Sequence, residues 1–564
     1  MKPTPTARGI LLALILGGMA VANLPAQVSF ERLREAAGES RNWLTYSGSY
    51  FSQRHSALDQ ITPANVGDLE LQWMYQAPVF GPGQATPIVV DGVMYVSQRP
   101  NDIVALDART GRVFWVYSYP TPSDHRACCG ANNRGVAVLD GRVFMATLDA
   151  HVVAIDASSG AQLWDVEVAD RHLAYSFTLS PLAVKDKVIV GTTGGDRGIR
   201  GFISAFDAET GEEAWRFYTI PGPGEPGHET WEPCPPNPET YCDPEAWKHG
   251  GGAAWLTGSY DPELDLIYWG IGNPGPDFFR EQRPGDNLYT SSVVALDADS
   301  GEIRWHFQFT PDDPYDYDAV QIPVLADIER GGTLFKVMLW ANRNGFYYVL
   351  DRATGRFLSG VPFISLNWAA GLDDSGRPIE TPQPPGEPTY PGVQGGTNWF
   401  SPSYSPRTEL FYIPTWEDYA SVFGGEPQEH EPGESFLGGL PGGFAPVANA
   451  PRLPGLSRGP INTWTDEVAH GAVLAIDALT GEPRWKFEMT DVIGSGILTT
   501  ASDLLFTGAR SGYFQALDAR TGDLLWKASL GSQIINGPIT YEVDGRQYVA
   551  TISGHALAAF ALRD

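Results

Sequence analysis

The chain is poor in positive charge and in cysteine. Its 564 residues carry 38 Lys and Arg against 67 Asp and Glu, a formal net charge of −29. That deficit excludes a nucleic-acid binder, whose affinity rests on a basic surface. It leaves room for a basic protein partner or a cationic ligand, beside the plainer reading that an exported protein carries excess acid for solubility. Cysteine appears only as Cys128, Cys129, Cys234 and Cys242. There is no Cys-x-x-Cys-His, so no c-type haem is attached to this chain. An even cysteine count in an exported chain is compatible with two disulfides. Charged residues make up only 19% and hydrophobic residues 43%, which excludes a disordered chain.

Long apolar runs are missing beyond the N-terminus. There, Lys2 and Arg8 precede the short run Ile10-Leu11-Leu12-Ala13-Leu14-Ile15-Leu16, and small residues follow at Ala20-Val21-Ala22. A basic start, a short apolar centre and a small-residue end read as a secretory signal over residues 1–26. The alternative is a membrane anchor, but the run is too short to span comfortably. Residues 27–564 are then expected to form a single exported domain, periplasmic and without stable membrane insertion.

What the sequence has in quantity is glycine (63), proline (45), tryptophan (17) and tyrosine (23). Many turns and many aromatics suit an all-β protein. The unit Ala-x-Asp-x-x-[Ser/Thr]-Gly-x-x-x-Trp begins at Ala105, Ala154, Ala205, Ala295, Ala475 and Ala516. In each copy strand-like residues lead to an Asp that can cap a turn. The Gly supplies a backbone angle other residues resist, and the Trp is a planar anchor between neighbouring blades. A degenerate copy runs through Asp351 and Gly355 without the Trp, and Trp73 marks one more. Neighbouring copies recur at about 40–50 residues where no insertion intervenes, the length of a four-stranded blade. The count predicts an eight-bladed β-propeller with tryptophan-docking repeats. The C-terminal strands are expected to pair with N-terminal ones and shut the ring. Residues 221–250, 380–396 and 424–462 are irregular insertions.

A propeller is not a function, and three features fall outside the repeat. Adjacent Cys128 and Cys129 have Cα atoms ~3.8 Å apart, so a bridge between them would be a compact, strained ring; two free thiols are the bland alternative. Asp196, Asn273, Asp316 and Asp318 offer oxygen donors suited to a hard cation. If the Asp316-Tyr317-Asp318 segment is extended, its carboxylates point the same way and repel unless a cation lies between them or one is protonated. Taken singly, each of these residues suits a turn. Trp255 follows three glycines, which lets a flat ligand approach the backbone and stack on the indole, though it could equally be one more core Trp.

Together these motifs resemble the quinoprotein alcohol dehydrogenases, the methanol and ethanol dehydrogenase family that uses pyrroloquinoline quinone (PQQ). The likeness rests on Cys128-Cys129 with Asn133-Arg134-Gly135, the Trp units, Gly270-Ile271-Gly272-Asn273-Pro274 and Asp316-Tyr317-Asp318. It covers essentially all of the mature chain. The resemblance implies an eight-bladed propeller in which a Cys128–Cys129 disulfide covers one face of PQQ and Trp255 the other. Arg134, Thr178, Thr193, Gly194 and Gly195 would contact the cofactor, Arg343 its quinone oxygens, and Asn398 and Trp399 would lie beside it. Asn273 and Asp196 would hold the metal, and Asp316 would be the catalytic base. Two positions depart from the family pattern: Asp196 stands where Glu is usual, and Gln84 where Glu often meets the cofactor. Asp318 matches a second Asp that the family associates with a lanthanide rather than calcium. The implied function is oxidation of an alcohol to an aldehyde or ketone, with electrons passed to a separate cytochrome c. A homodimer is compatible with this reading. The competing readings are a non-enzymatic envelope scaffold and a decayed quinoprotein.

Overall fold

Each repeat unit forms the turn between the third and fourth strands of an antiparallel sheet. In the first sheet these are Asp102–Asp107 and Val113–Ser118, preceded by Ile88–Val90 and Val93–Gln98. The aspartate caps the turn. Asp107 Oδ1 accepts the N–H of Arg109 at 2.9 Å and of Thr110 at 3.2 Å, and Asp156, Asp207 and Asp297 accept from the matching positions. These bonds satisfy backbone donors that the tight turn strips of strand partners.

The computed structural model describes residues 28–79, 81–235, 241–384, 386–439, 470–489 and 492–563. The expected leader and residues 440–462 of the last insertion lie outside them. Seven sheets of this kind, blades one to seven, occur in chain order over residues 88–118, 137–167, 182–218, 259–308, 324–362, 403–489 and 497–529. Blade eight joins the two ends of the chain. Ile539–Val543, Arg546–Ser553 and Ala556–Leu562 supply three strands, and Leu69–Gln76 pairs as the outermost. The result is the eight-bladed ring that the repeat count predicts, closed in the expected way. No helix among the described residues is long and apolar enough to cross a membrane.

Blade packing explains both the Gly and the Trp of the repeat. Trp73, Trp115, Trp164, Trp215 and Trp485 each donate through Nε1 to a carbonyl just after the Asp of the next blade, at 3.0–3.3 Å. The turn glycine lies flat beneath the same indole. A Cβ on Gly301 would stand 2.4 Å from Trp215, and one on Gly160 2.7 Å from Trp115. Glycine is therefore required twice, for its positive φ and for the room it leaves. Blade five, which lacks the Trp, meets blade six through Ser359 Oγ, which donates to the Leu479 carbonyl at 3.0 Å.

The third strands show no alternation between buried and exposed residues; Ile103 to Leu106 are all buried. Both faces of a blade are covered by its neighbours, so the pattern of a one-sided sheet is lost there. It survives in the outermost strands, where Val113–Ser118 alternates between exposed and half-buried.

Strand order also fixes which end carries what. The repeat turns lie at one end of blades one to seven. The loops between second and third strands, and the connections from one blade to the next, lie at the other. The insertion over 221–250 belongs to that second end and is closed by the Cys234–Cys242 disulfide.

Candidate active site

Every residue singled out for chemistry sits at the loop end. Cys128, Cys129 and Arg134 come from the connection between blades one and two, Thr178 from the next, Trp255 from that between blades three and four, and Asp316 and Asp318 from that between four and five. Asn398 and Trp399 come from the connection into blade six, and Gln84 from that into blade one. Thr193, Gly194, Gly195 and Asp196 lie in the second-to-third-strand loop of blade three, Asn273 in that of blade four and Arg343 in that of blade five. Loops on a rigid frame are free to vary in sequence, and here they converge.

Arg343, which is buried, organises the acidic half of the site. Its Nη1 donates to Asp318 Oδ2 at 2.5 Å, and its Nη2 to Asp316 Oδ2 at 3.3 Å and to the Val393 carbonyl. Asp318 is tied further: Oδ2 accepts from Trp255 Nε1 at 3.2 Å, and Oδ1 from the Asn273 N–H at 3.0 Å. The expectation of an extended Asp-Tyr-Asp is corrected. Asp316 is left-handed, with φ 58°, a conformation a short acidic side chain tolerates. Tyr317 between them donates from its backbone to Asp313 Oδ2 at 2.7 Å and from its hydroxyl to the Pro391 carbonyl. A shared guanidinium, rather than strand alternation, brings the two carboxylates together.

The electrostatics follow from burial. The Asp316 carboxyl is pushed well above the usual carboxylate range, by burial first, with the Arg343 guanidinium pulling it back and Asp318 adding to the rise. Asp196 and Asp318 are raised for the same first reason. Low-dielectric surroundings disfavour the charged form, and neighbouring negative charge adds to the cost. Asp277, not singled out from the sequence, joins this set. It is buried, raised well above its usual value by burial and then by Asp196 and Asp316, and its Oδ1 has no hydrogen-bond partner. It sits just past the Gly-Ile-Gly-Asn-Pro-Gly-Pro run, so an acid flanking a rigid glycine–proline loop was the available signal.

The other half is aromatic and cationic. Arg134 Nη1 donates to the Thr178 carbonyl at 3.1 Å and its Oγ1 at 2.8 Å, and Thr178 Oγ1 is 3.1 Å from Thr193 Oγ1. The guanidinium lies 4.9 Å from the Trp255 ring and 4.8 Å from the Trp399 ring, which holds a buried charge through cation–π attraction. Asn398 Oδ1 accepts the Trp399 N–H at 2.9 Å. Cys128 and Cys129 are disulfide-bonded, and their sulfurs and an Asp196 oxygen lie within 4.8 Å of one another. Gly194 has φ 125°, and a Cβ there would stand 2.4 Å from the Ala174 carbonyl oxygen. Gln84 Oε1 is buried without a partner. The described part of the 424–462 insertion folds back over this end, with the Phe436 N–H donating to the Asp196 carbonyl at 2.8 Å.

Comparison with known proteins decides what this arrangement belongs to. The family model for the β-propeller domain of PQQ-dependent glucose, ethanol and alcohol dehydrogenases matches residues 43–363 and 489–549. The chain belongs to the PQQ-dependent alcohol dehydrogenases. It is 38% identical to quinohemoprotein alcohol dehydrogenase ADH-IIG of Pseudomonas putida, over 97% of this chain and 77% of that one. It is 36% identical to quinoprotein alcohol dehydrogenase PedH of Pseudomonas putida, over 98% and 93%. A solved europium-containing methanol dehydrogenase superimposes with a TM-score of 0.84 at 32% identity, covering 94% of this chain and 100% of that one. As a member of this family the chain is an enzyme that oxidises alcohols with PQQ. The non-enzymatic scaffold reading falls with that finding.

Proposed function

We propose that this enzyme works in the periplasm, oxidises its alcohol at the Asp316–Arg343 pair with PQQ and a hard metal ion in place, and passes the electrons to a separate cytochrome c. The single observation that carries the reading is the Asp316 carboxylate, part-exposed in a buried cluster and held against Arg343 at 3.3 Å. Bound PQQ would supply two-electron oxidation of the alcohol carbon, and a bound cation Lewis-acid polarisation.

The residues present fit both groups. Arg134 Nε and Arg343 Nε are buried donors without partners, suited to an anionic, carbonyl-rich cofactor. Asp277 Oδ1 is a buried acceptor without one, suited to a cation. The Cys128–Cys129 disulfide and Trp255 are read as the covers of the cofactor's two faces. Arg134, Thr178, Thr193, Gly194, Gly195, Asn398, Trp399 and Gln84 are read as its edge contacts, with Gln84 making a neutral one. Asp196, Asn273, Asp316 and Asp318 are read as the metal's oxygen donors, with calcium and a lanthanide both open. The tryptophan-docking repeats keep this loop end rigid.

The chain's own chemistry is proton handling. Asp316 takes the hydroxyl proton as general base, for which it must be ionised. Burial opposes ionisation; Arg343 and a nearby cation favour it. Trp255 is oriented through Nε1 on Asp318, so the stacking surface and the acid cluster move as one unit. A basic cytochrome meets a surface of excess acid. Reconstitution with PQQ plus calcium or a lanthanide, followed by alcohol-dependent dye reduction, tests the reading. We expect turnover on part of an alcohol panel; none with either ion overturns it. Reduction of a basic cytochrome c should weaken steeply with salt, and salt-independent transfer would remove the electrostatic partner.

A further inference from the structure

Asp277 is 2% exposed, and its Oδ1 finds no donor in the chain. The charges that bear on it are those of Asp196 and Asp316 and, less strongly, Asp318, while the Asn273 side chain favours its ionised form. The other acids are placed differently. Both oxygens of Asp318 accept protein N–H groups, and Asp316 faces Arg343. Arg343 also serves the Val393 carbonyl.

A buried carboxylate oxygen with no donor requires a proton or a cation beside it. Oxygen donors gathered from separate loops select a hard cation, and the number of carboxylates sets how strongly it is held. Asp196, Asp277, Asp316 and Asp318 outnumber the guanidiniums that bear on them, Arg343 and, at Asp196, Arg197, so each added carboxylate raises the positive charge the ion must supply. We propose that Asp277 is a direct ligand of the cation alongside Asp196 and Asp316, and that its charge tilts the site toward a trivalent over a divalent ion. This rests on the metal reading above and adds a ligand to it.

The test is metal binding by the PQQ-loaded protein, followed by terbium luminescence excited through the indoles and by calcium competition. Asp277→Asn should lower terbium affinity by at least about tenfold, lower calcium affinity by less, and leave the absorbance of bound PQQ in place. Affinities for both ions equal to wild type overturn the inference. If the variant does not fold, the terbium-loaded wild type decides the matter by anomalous scattering. An Asp277 oxygen at about 2.3–2.6 Å from the ion supports it; an ion held by the other carboxylates with Asp277 outside that distance overturns it. A wild type that takes up PQQ but neither ion overturns the metal reading itself, and this inference with it.

Discussion

The two ends of the propeller use the same residue under opposite conditions. At the turn end, aspartates sit near the surface among donors. Asp156 is lowered below the usual carboxylate range by the hydroxyls of Ser158 and Ser159, Asp207 by the Thr210 N–H, and Asp297 by the Arg304 guanidinium. At the loop end, Asp196, Asp277, Asp316 and Asp318 are raised, by burial before anything else. A turn aspartate stabilises the fold by being charged. A loop-end aspartate costs the fold stability by being charged, a cost that Arg343 partly offsets at Asp316 and Asp318 and that a bound cation would offset further. The contrast separates residues that hold the frame from residues proposed to do chemistry, and it can be broken from either side.

The largest effect should come from Asp316→Asn. Removing a general base costs about 10²–10⁴ in turnover, while bound PQQ and thermal stability should persist, because the amide is a near-isosteric neutral replacement for a carboxyl whose charged form is disfavoured there. Steady-state dye reduction with PQQ absorbance as the loading control measures this; turnover within a few-fold of wild type would take the role from Asp316. The mirror experiment is Trp215→Ala at the blade interface. It deletes a buried indole lying over Gly301 and should destabilise by about 3–5 kcal/mol, with turnover per PQQ-loaded molecule unchanged. A kinetic loss without a stability loss would mean that the frame and the site are not separable.

How far these two ends were legible in the sequence differs for a physical reason. The turn end repeats, so Asp107, Gly111 and Trp115 could be read against five further copies, and the blade count followed. What the repeat concealed was that the glycine is needed for space as well as for φ, since the indole above Gly160 belongs to another blade. The loop end does not repeat. Its residues lie far apart in the chain and meet only through the ring's curvature, so Cys128, Trp255 and Asp316 were readable by family likeness and by their break from register. Asp277 was not read at all, because a lone acid after a glycine–proline run looks like a turn residue until its buried neighbours are known. The left-handed backbone of Asp316 was hidden for a similar reason: spacing alone suggests a strand, and the bonds from Tyr317 to Asp313 and Pro391 that bend the segment are long-range or local details of fold.

A smaller effect sharpens the contrast through pH. A carboxyl raised in the native state holds its proton there at pH values where the unfolded chain, with an ordinary value near 3.9, has lost it. The native state then binds more protons, and stability falls as pH rises from about 4 toward neutrality. The turn aspartates do the reverse: their stabilisation is full above about 4 and is lost as pH falls through their lowered native values. A bound cation cancels the loop-end cost by competing with protons. The rise in melting temperature on adding calcium or a lanthanide should therefore be larger at pH 7 than at pH 5. Equal gains at both would mean that the loop-end carboxyls are not the ion's ligands.

The smallest effect tests the turn end alone. Asp156 Oδ1 accepts the backbone N–H of Ser158 at 3.1 Å and of Ser159 at 2.8 Å, with both serine hydroxyls on the same oxygen. Asp156→Ala leaves those donors to water, which reaches this exposed turn freely, so the loss should resemble that of a helix N-cap, about 0.5–2 kcal/mol. It should appear as a modest fall in denaturation midpoint at pH 7 and shrink as pH drops below about 4, where the unfolded chain's carboxylate begins to take up its proton while the native one does not. Neither PQQ affinity nor turnover should move, because the turn lies at the opposite end of its blade from Asp316. A change in turnover from this substitution would show that strain at one end of a blade reaches the other, and the division between frame and site would have to be redrawn along the strands rather than across them.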